Sequence, residues 1–346
     1  MLHRLDVYLR ERTNGYTVDP AQYAIVAYVA LGALTLIVLS GAAVRLTGSG
    51  LGCPDWPKCY GKAYPPLNAH AVIEFSNRVI TGPVSIAAGA AWILALRRRP
   101  YRRDLVWLGA LLPAGVVAQA VLGGFTVRGA LDYGWVMGHF ALSMLIILAA
   151  VLLAWRASHE PQESEGEAEA EGSSVAQRDR PLVWWLRGLV ALGALTIFAG
   201  TAATAAGPHA GGSPGQKINR LSFEGRGTMD FVIHRHGEIA LAFGLLAVAL
   251  WWLARRRHAD QSVQRPLTVL CVLLALQGAV GLDQYKTHLP AELVWVHVAL
   301  ASCTWLAALW AACAAGAFVP RRARAGAERA SEGTLRGVSP LEFPGN

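Results

Sequence analysis

Residues 23 to 46 read YAIVAYVALGALTLIVLSGAAVRL, an uncharged and largely apolar run from Tyr23 to Val44 that ends at Arg45. About 20 such residues carry a helix across the hydrocarbon core of a bilayer, so this stretch is long enough to span one. Seven more runs of the same character follow, roughly at 73 to 96, 105 to 127, 135 to 155, 183 to 206, 230 to 254, 266 to 284 and 293 to 316. Eight spans imply an all-α integral membrane protein. Composition agrees: 54% of the 346 residues are apolar and only 16% are charged, where a soluble domain carries about a quarter charged. An ordinary soluble enzyme is thereby disfavoured. The net charge of +8 would suit nucleic acid, but Arg97-Arg98-Arg99, Arg255-Arg256-Arg257 and Arg321-Arg322 each follow an apolar span directly. They read as topology signals, and no nucleic-acid partner is expected.

Those arginine clusters follow spans two, six and eight and lie on one side together with Arg4, Arg10 and Arg12. By the positive-inside rule that side is the cytoplasm, so both termini are expected there. Met1 to Gln22 is polar and lacks the short apolar core of a cleavable signal peptide. SHEPQESEGEAEAEGSSVAQRDR, residues 158 to 180, is acidic and almost free of large apolar side chains, so it reads as an unfolded linker. The expected organisation is an N-terminal segment 1–22, a four-helix bundle 23–156, the linker 157–182, a second bundle 183–316 and a cytoplasmic tail 317–346.

The two bundles resemble each other. Leu31-Gly-Ala-Leu-Thr35 recurs as Leu192-Gly-Ala-Leu-Thr196, and Asn77-Arg78 aligns with His234-Arg235. Gln119 precedes Gly123 by four residues and His139 by twenty, as Gln277 precedes Gly281 and His297. Chance matching among Ala, Leu and Gly would not place polar Gln and His at one shared spacing. A tandem duplication of a four-helix unit accounts for all of it.

Ionisable side chains inside a bilayer are costly and mark function. His139, His234 and His297 each fall about four residues into a span entered from the outer face, and a rise of about 1.5 Å per residue sets them at one shallow depth. Asn77 holds the fourth equivalent place. His236 lies about 200° around the helix from His234 and is expected to face elsewhere. Matched imidazoles on facing helices suit a bound metal or haem. Zinc is the poorer fit, because a closed site wants four ligands and each bundle offers at most two imidazoles. Haem needs only axial ligands, and His234 with His297 makes a two-histidine haem site in the second half.

The first half differs chemically. Glu74, Asn77 and Arg78 share one helix face, whereas the position aligned with Glu74 in the second half is Phe231. Glu74 is therefore either an interfacial carboxylate paired with Arg78 or a catalytic one. Cys53 and Cys59 stand six residues apart in the outer loop, and the aligned loop from Gly207 to Met229 has no cysteine. A disulfide here is either a staple or a redox relay. Cys271, Cys303 and Cys313 lie in spans and read as small core residues. Arg45 suits a haem propionate or lipid phosphate equally, and Arg78 and Arg235, repeated beside the ligand position, favour propionate slightly.

Arg45-Leu-Thr-Gly-Ser-Gly-Leu-Gly-Cys-Pro-Asp-Trp-Pro-Lys-Cys59 followed by Glu74-Phe-Ser-Asn-Arg78, on an eight-span repeated chain, resembles the heme A synthase family in its bacterial two-cysteine form. The resemblance implies an enzyme that oxidises the C8 methyl group of heme O to a formyl group, giving heme A for terminal oxidases. It also implies heme b in the second half, heme O as substrate in the first, delivery by heme O synthase and an electron acceptor that the sequence does not identify. Glu74 matches the family's essential carboxylate, Cys53 and Cys59 its outer-loop pair, and His139, His234 and His297 three of its four helix histidines. Asn77 departs from the pattern, since many relatives carry the fourth histidine there. A cytochrome b-like quinol oxidoreductase, passing electrons without altering the haem, is the alternative. A haem or copper transporter is a weaker one, for neither Met-rich clusters nor paired broken helices are present.

The topology has a direct test. Reporter fusions after Pro100 and after Trp56 should report opposite sides of the membrane, and the same side for both would overturn the eight-span reading.

Overall fold

The computed structural model describes residues 15–160, 180–213, 215–223 and 227–318. The first 14 residues, most of the acidic linker and the tail from 319 lie outside the described residues. Among the described residues there are eight helices: α1 (Pro20–Leu46), α2 (Ala69–Arg97), α3 (Arg103–Arg128), α4 (Tyr133–Ser158), α5 (Arg180–Ala206), α6 (Thr228–Arg256), α7 (Gln261–Lys286) and α8 (Ala291–Ala314). Each is long and apolar enough to cross a membrane. Among the described residues there is no strand, only isolated bridges at Val18–Arg98 and Cys59–Lys62.

Several helices begin before the apolar run does, because their starts are set by polar caps. Asp19 accepts from the Gln22 amide at 2.8 Å and Gln22 answers from its side chain, a capping box ahead of Pro20. Asn68 accepts from Ala71 N at 2.9 Å and Asp260 from Ser262 N at 2.7 Å. Thus α2 starts at Ala69 rather than 73, and α7 at Gln261 rather than 266. Each cap satisfies an amide that the helix itself leaves unpaired.

Within each half the helices close a ring. α1 packs on α2 and α4, and α3 on the same two; α5 packs on α6 and α8, and α7 on the same two. The halves meet where α1 and α4 face α5 and α8. There the Trp305 indole, 3% exposed, donates to the Met144 carbonyl at 3.2 Å among Val38, Ile147, Val151 and Leu309. Lipid tails are as apolar as leucine, so helix association relies on close packing of small residues. Ala27 and Ala30 of α1 and Ala88, Ala91 and Ala95 of α2 are fully buried. A Cβ on Gly109 of α3 would stand 3.1 Å from the Ala91 carbonyl oxygen and from the Trp92 Cα. Tyr23 anchors this seam by donating its hydroxyl to Ala91 O at 2.9 Å.

The turns from α3 to α4 and from α7 to α8 share an unusual backbone. Ala130 and Leu131 have φ of 50° and 59°, and His288 and Leu289 have 61° and 62°. Non-glycine residues rarely adopt that region, yet both halves use it at corresponding positions. At this end of the molecule the loops of the two halves also interlock. Gly50 N donates to Gly211 O at 2.8 Å, and Ser213 Oγ to Gly48 O at 2.8 Å. At the opposite end fully buried Arg98 pairs with Glu160, and Arg102 with Asp104 at 2.8 Å.

Gly109→Leu should lower the thermal midpoint in detergent, at a cost of roughly 1–3 kcal/mol for overpacking. Gly89→Leu serves as the control, since nothing lies within 4 Å of its Cβ position. Equal midpoints for the two variants would show that the α2–α3 seam is not limited by packing.

Candidate functional site

Only glycine lets the loop after α1 lie against the start of α2, because a Cβ on Gly52 would fall 2.2 Å from the His70 carbonyl oxygen. Cys53 and Cys59 form a disulfide, and both are fully buried. The turn closes with Cys59 N donating to Lys62 O at 2.9 Å and Lys62 N to Cys59 O at 3.1 Å.

The expected pair on α2 is present, and it reaches further than a helix-face ion pair. Glu74, 6% exposed, accepts from Cys53 N at 2.7 Å and pairs through its other oxygen with Arg78. Arg78 in turn donates to the carbonyls of Asp55 at 2.8 Å, Lys58 at 2.9 Å, Cys53 at 3.2 Å and Pro57 at 3.3 Å. A buried carboxylate needs a charged or hydrogen-bonding partner to offset its lost hydration. The guanidinium supplies that and still has donors to grip the loop.

Asn77 points toward α1, its carbonyl accepting from Ser40 Oγ at 2.7 Å. His139 of α4 has its backbone carbonyl held by Gln119 Nε2 at 3.0 Å. In the second half Gln277 Nε2 holds the His297 carbonyl at 3.1 Å, so the shared Gln–His spacing is one hydrogen bond made twice. In both halves the histidine Nδ1 and the glutamine Oε1 are buried without a protein partner. Glycine faces each ring: Cβ positions on Gly123 and Gly281 lie 3.6 and 3.1 Å from the Cε1 atoms of His139 and His297. Equivalent imidazoles with open partner positions beside side-chain-free helix surface fit a bound haem.

His234 and His236 lie on different faces of α6, as their angle around the helix implies. The His234 Nδ1 lies 2.7 Å from the Asp230 carbonyl, which only an Nδ1–H can satisfy, so Nε2 keeps its lone pair for a ligand role. Its ring is exposed and meets Tyr285 of α7 edge-on at 6.1 Å. The imidazole beside His297 is instead that of His236, with centroids 6.2 Å apart. α6 packs on α5 through this face, where the Cβ position of Gly200 lies 3.1 Å from His236 and the Thr196 carbonyl 3.1 Å from its Nδ1. His236 therefore faces the bundle interior. A cleft of about 510 Å³, lined by Pro208, Arg220, Asp230, Tyr285, Lys286 and Leu289, opens beside the first turn of α6.

Arg45 donates to the carbonyls of His209 at 3.0 Å and Thr204 at 3.4 Å, tying α1 to the far half. Arg235 forms a 2.7 Å ion pair with Glu238, both more than half exposed. Of the three other cysteines only Cys313 is buried; Cys271 is half-buried and Cys303 faces outward, because the outer helix faces of a membrane protein are apolar as well.

The architecture is that of an all-α multi-pass membrane protein with histidines repeated across two bundles and a disulfide loop over one. The chain belongs to the heme A synthase family: the family described as COX15-CtaA, cytochrome oxidase assembly protein, matches residues 24–309. A heme A synthase of Shewanella oneidensis is 27% identical over 299 residues, 76% of this chain and 87% of that protein. One of Lysinibacillus sphaericus is 37% identical over 134 residues, but the match spans only 42% of that protein's length and 37% of this chain. A protoheme IX farnesyltransferase of Thermus thermophilus is 27% identical over 287 residues, 78% of this chain and 45% of that protein.

The Arg78 grip predicts a measurable difference between two aligned arginines. Arg78→Gln should speed reduction of Cys53–Cys59 by a mild thiol at least about tenfold, the factor that about 1.4 kcal/mol of loosening produces. Arg235→Gln should leave the rate unchanged. Equal rates in both variants would mean that the loop holds its shape without Arg78.

Proposed function

We propose that this chain is a heme A synthase, oxidising the C8 methyl group of heme O to a formyl group to supply heme A to terminal oxidases. Converting methyl to formyl takes up one oxygen atom and is a four-electron oxidation: R–CH3 with H2O gives R–CHO, four protons and four electrons, so the cycle needs an oxygen donor such as water and an electron acceptor. The observation that carries the reading is an asymmetry: Glu74 is buried against the disulfide loop in one half, while Phe231 is exposed at the aligned place in the other. A repeated scaffold that carries a buried carboxylate in only one copy has reserved that copy for chemistry.

In this reading the chain is a tandem duplication, and the repeated positive-φ turns and Gln–His bonds support that. The first bundle, 23–156, receives heme O through His139, with Asn77 beside the ligand position. The second, 183–316, holds heme b on His234 and His297. Heme b would supply one-electron transfer when bound. Glu74 accepts a proton or stabilises positive charge as the methyl carbon is oxidised. Arg78 holds that carboxylate and the loop in register. The Cys53–Cys59 bond serves as a redox relay. Of the three arginines, Arg235, whose ion pair with Glu238 is more than half exposed, is the one placed to exchange that partner for a propionate; Arg45 and Arg78 are engaged with backbone carbonyls. The loops bearing the disulfide lie outside the cell and both termini inside, in a bacterial plasma membrane, with heme O delivered by heme O synthase. That last step is suggested by the farnesyltransferase relative, which the chain matches over less than half its length.

A second ligand set is favoured by one distance, the 6.2 Å between His236 and His297. His234 stands as the ligand here because its Nδ1 bond prepares Nε2 and its ring meets Tyr285, which lines the cleft. Purified His297→Ala and His234→Ala should each lose most heme b absorbance while His236→Ala keeps it; retention by His234→Ala and loss by His236→Ala would exchange the two roles. Glu74→Gln should keep heme b and a closed disulfide yet accumulate heme O or a partly oxidised haem. Normal heme A output from that variant, by chromatography of extracted haems, would refute the catalytic assignment.

A further inference from the structure

Trp56 stands in the middle of the disulfide loop, and the reading above gives it no task. Its indole Cδ2 and Cε3 lie 3.4 Å from the Cβ position of Gly124 on α3, and Gly124 is buried. The preceding residue, Gly123, has its own Cβ position 3.6 Å from His139. Two successive glycines thus leave a strip of α3 without side chains, one meeting the loop tryptophan and the other the candidate ligand. The carbonyls gripped by Arg78 include those of Asp55 and Pro57, on either side of Trp56. Backbone on both flanks is fixed while the side chain reaches across to α3. In the second half the place of Gly124 is taken by Leu282, which is exposed, and the loop from 207 to 229 contains no tryptophan.

A tryptophan at this height in a membrane protein ordinarily anchors at the lipid headgroups. Trp135, 43% exposed and stacked on Phe125, suits that role. Trp56 differs, because its ring lies against helix backbone rather than outward, and its loop is tied to α2 by five hydrogen bonds from Glu74 and Arg78. We propose that Trp56 is a substrate-contacting residue of the first bundle: its indole, seated on Gly124 next to the Gly123–His139 contact, is a wall against which a flat conjugated macrocycle stacks. The ligand class is a planar aromatic amphiphile, and this assignment rests on the first bundle receiving heme O. Glu74, Arg78 and the disulfide then act together to hold that wall in place. Stacking on a tryptophan face needs no charge and tolerates an edge substituent, as orienting a macrocycle by one methyl group requires.

The test uses the purified full-length protein in detergent, with heme O binding followed by absorbance and turnover followed separately. Trp56→Ala should raise the half-saturating heme O concentration about tenfold, the upper range for one aromatic contact, with heme b absorbance unchanged. Trp56→Phe should recover most of the loss. Gly124→Leu, which copies the second half, should displace the indole and weaken binding as Trp56→Ala does. Thiol labelling confirms that Cys53–Cys59 stays closed in each variant. Heme O binding by Trp56→Ala at the wild-type concentration overturns the proposal, and so does a loss that Trp56→Phe leaves unrelieved. Wild-type protein that binds heme O saturably without converting it would refute the synthase reading alone.

Discussion

Hydrocarbon offers a backbone no hydrogen bonds, and each unsatisfied amide or carbonyl left in it costs several kcal/mol. The eight helices answer that requirement, and it also governs where polar side chains stand. Thr35, Thr196 and Ser302 return their hydroxyls to carbonyls of their own helices one turn back. Gln119 and Gln277 cross to a neighbouring helix and take a histidine carbonyl. These cross-helix bonds have a second effect. A helix carbonyl already engaged within its own ladder accepts again, so the backbone beneath His139 and His297 is fixed from outside and each ring is positioned by α3 or α7 as well as by its own helix. Nδ1 of both histidines and Oε1 of both glutamines are among the buried side-chain atoms left without a protein partner, and a bound group could meet them.

The disulfide end obeys different rules, because its chain is irregular and must find partners loop by loop. One solution is lateral: Arg45, Gly48, Gly50 and Ser213 join the loops of the two halves through backbone carbonyls. The other is vertical: Glu74 and Arg78 rise from α2 to hold residues 53 to 58. The vertical contacts involve a buried ion pair, which as a stabilising device is often no better than packed apolar residues. Its justification is geometric, since one fork of donors fixes several carbonyls at once where a leucine would fix none.

Much of this was legible in the chain. Hydropathy located the eight described helices because apolar length is a demand of the bilayer itself, and the largest offsets at helix starts come where polar caps such as Asn68 and Asp260 carry the helix past the apolar run. The Gln–Gly–His spacing pointed to a repeated arrangement because polar residues in lipid are too costly to recur by accident. Helix azimuth is less legible. Angles around α6 separate His234 from His236, but which of the two faces inward depends on how α6 sits against α5, and the small residue that admits His236 is Gly200 on the other helix. Arg45 meets a similar limit. Its partners are carbonyls at Thr204 and His209, and backbone acceptors leave no mark in a sequence.

The asymmetry between halves bears on how two bundles that share a pattern can differ in what one of them carries. Both bundles keep the glutamine latch, the facing glycine and the α3–α4-type turn, which are the parts that close a ring of helices and hold an imidazole. What the first half alone possesses is confined to one end: Glu74, the cysteine loop, Trp56 and the extra glycine at 124. None of these lies in the apolar seams that hold the helices together, so each can change without loosening the bundle. Each also depends on another. Gly124 makes room for the Trp56 indole, Arg78 holds the backbone that presents it, and Glu74 keeps Arg78 from being an uncompensated buried cation. On the proposal that the Trp56 indole is a wall for a planar substrate, this interdependence has a reason, since holding one face of that substrate against one carboxylate requires all of them together.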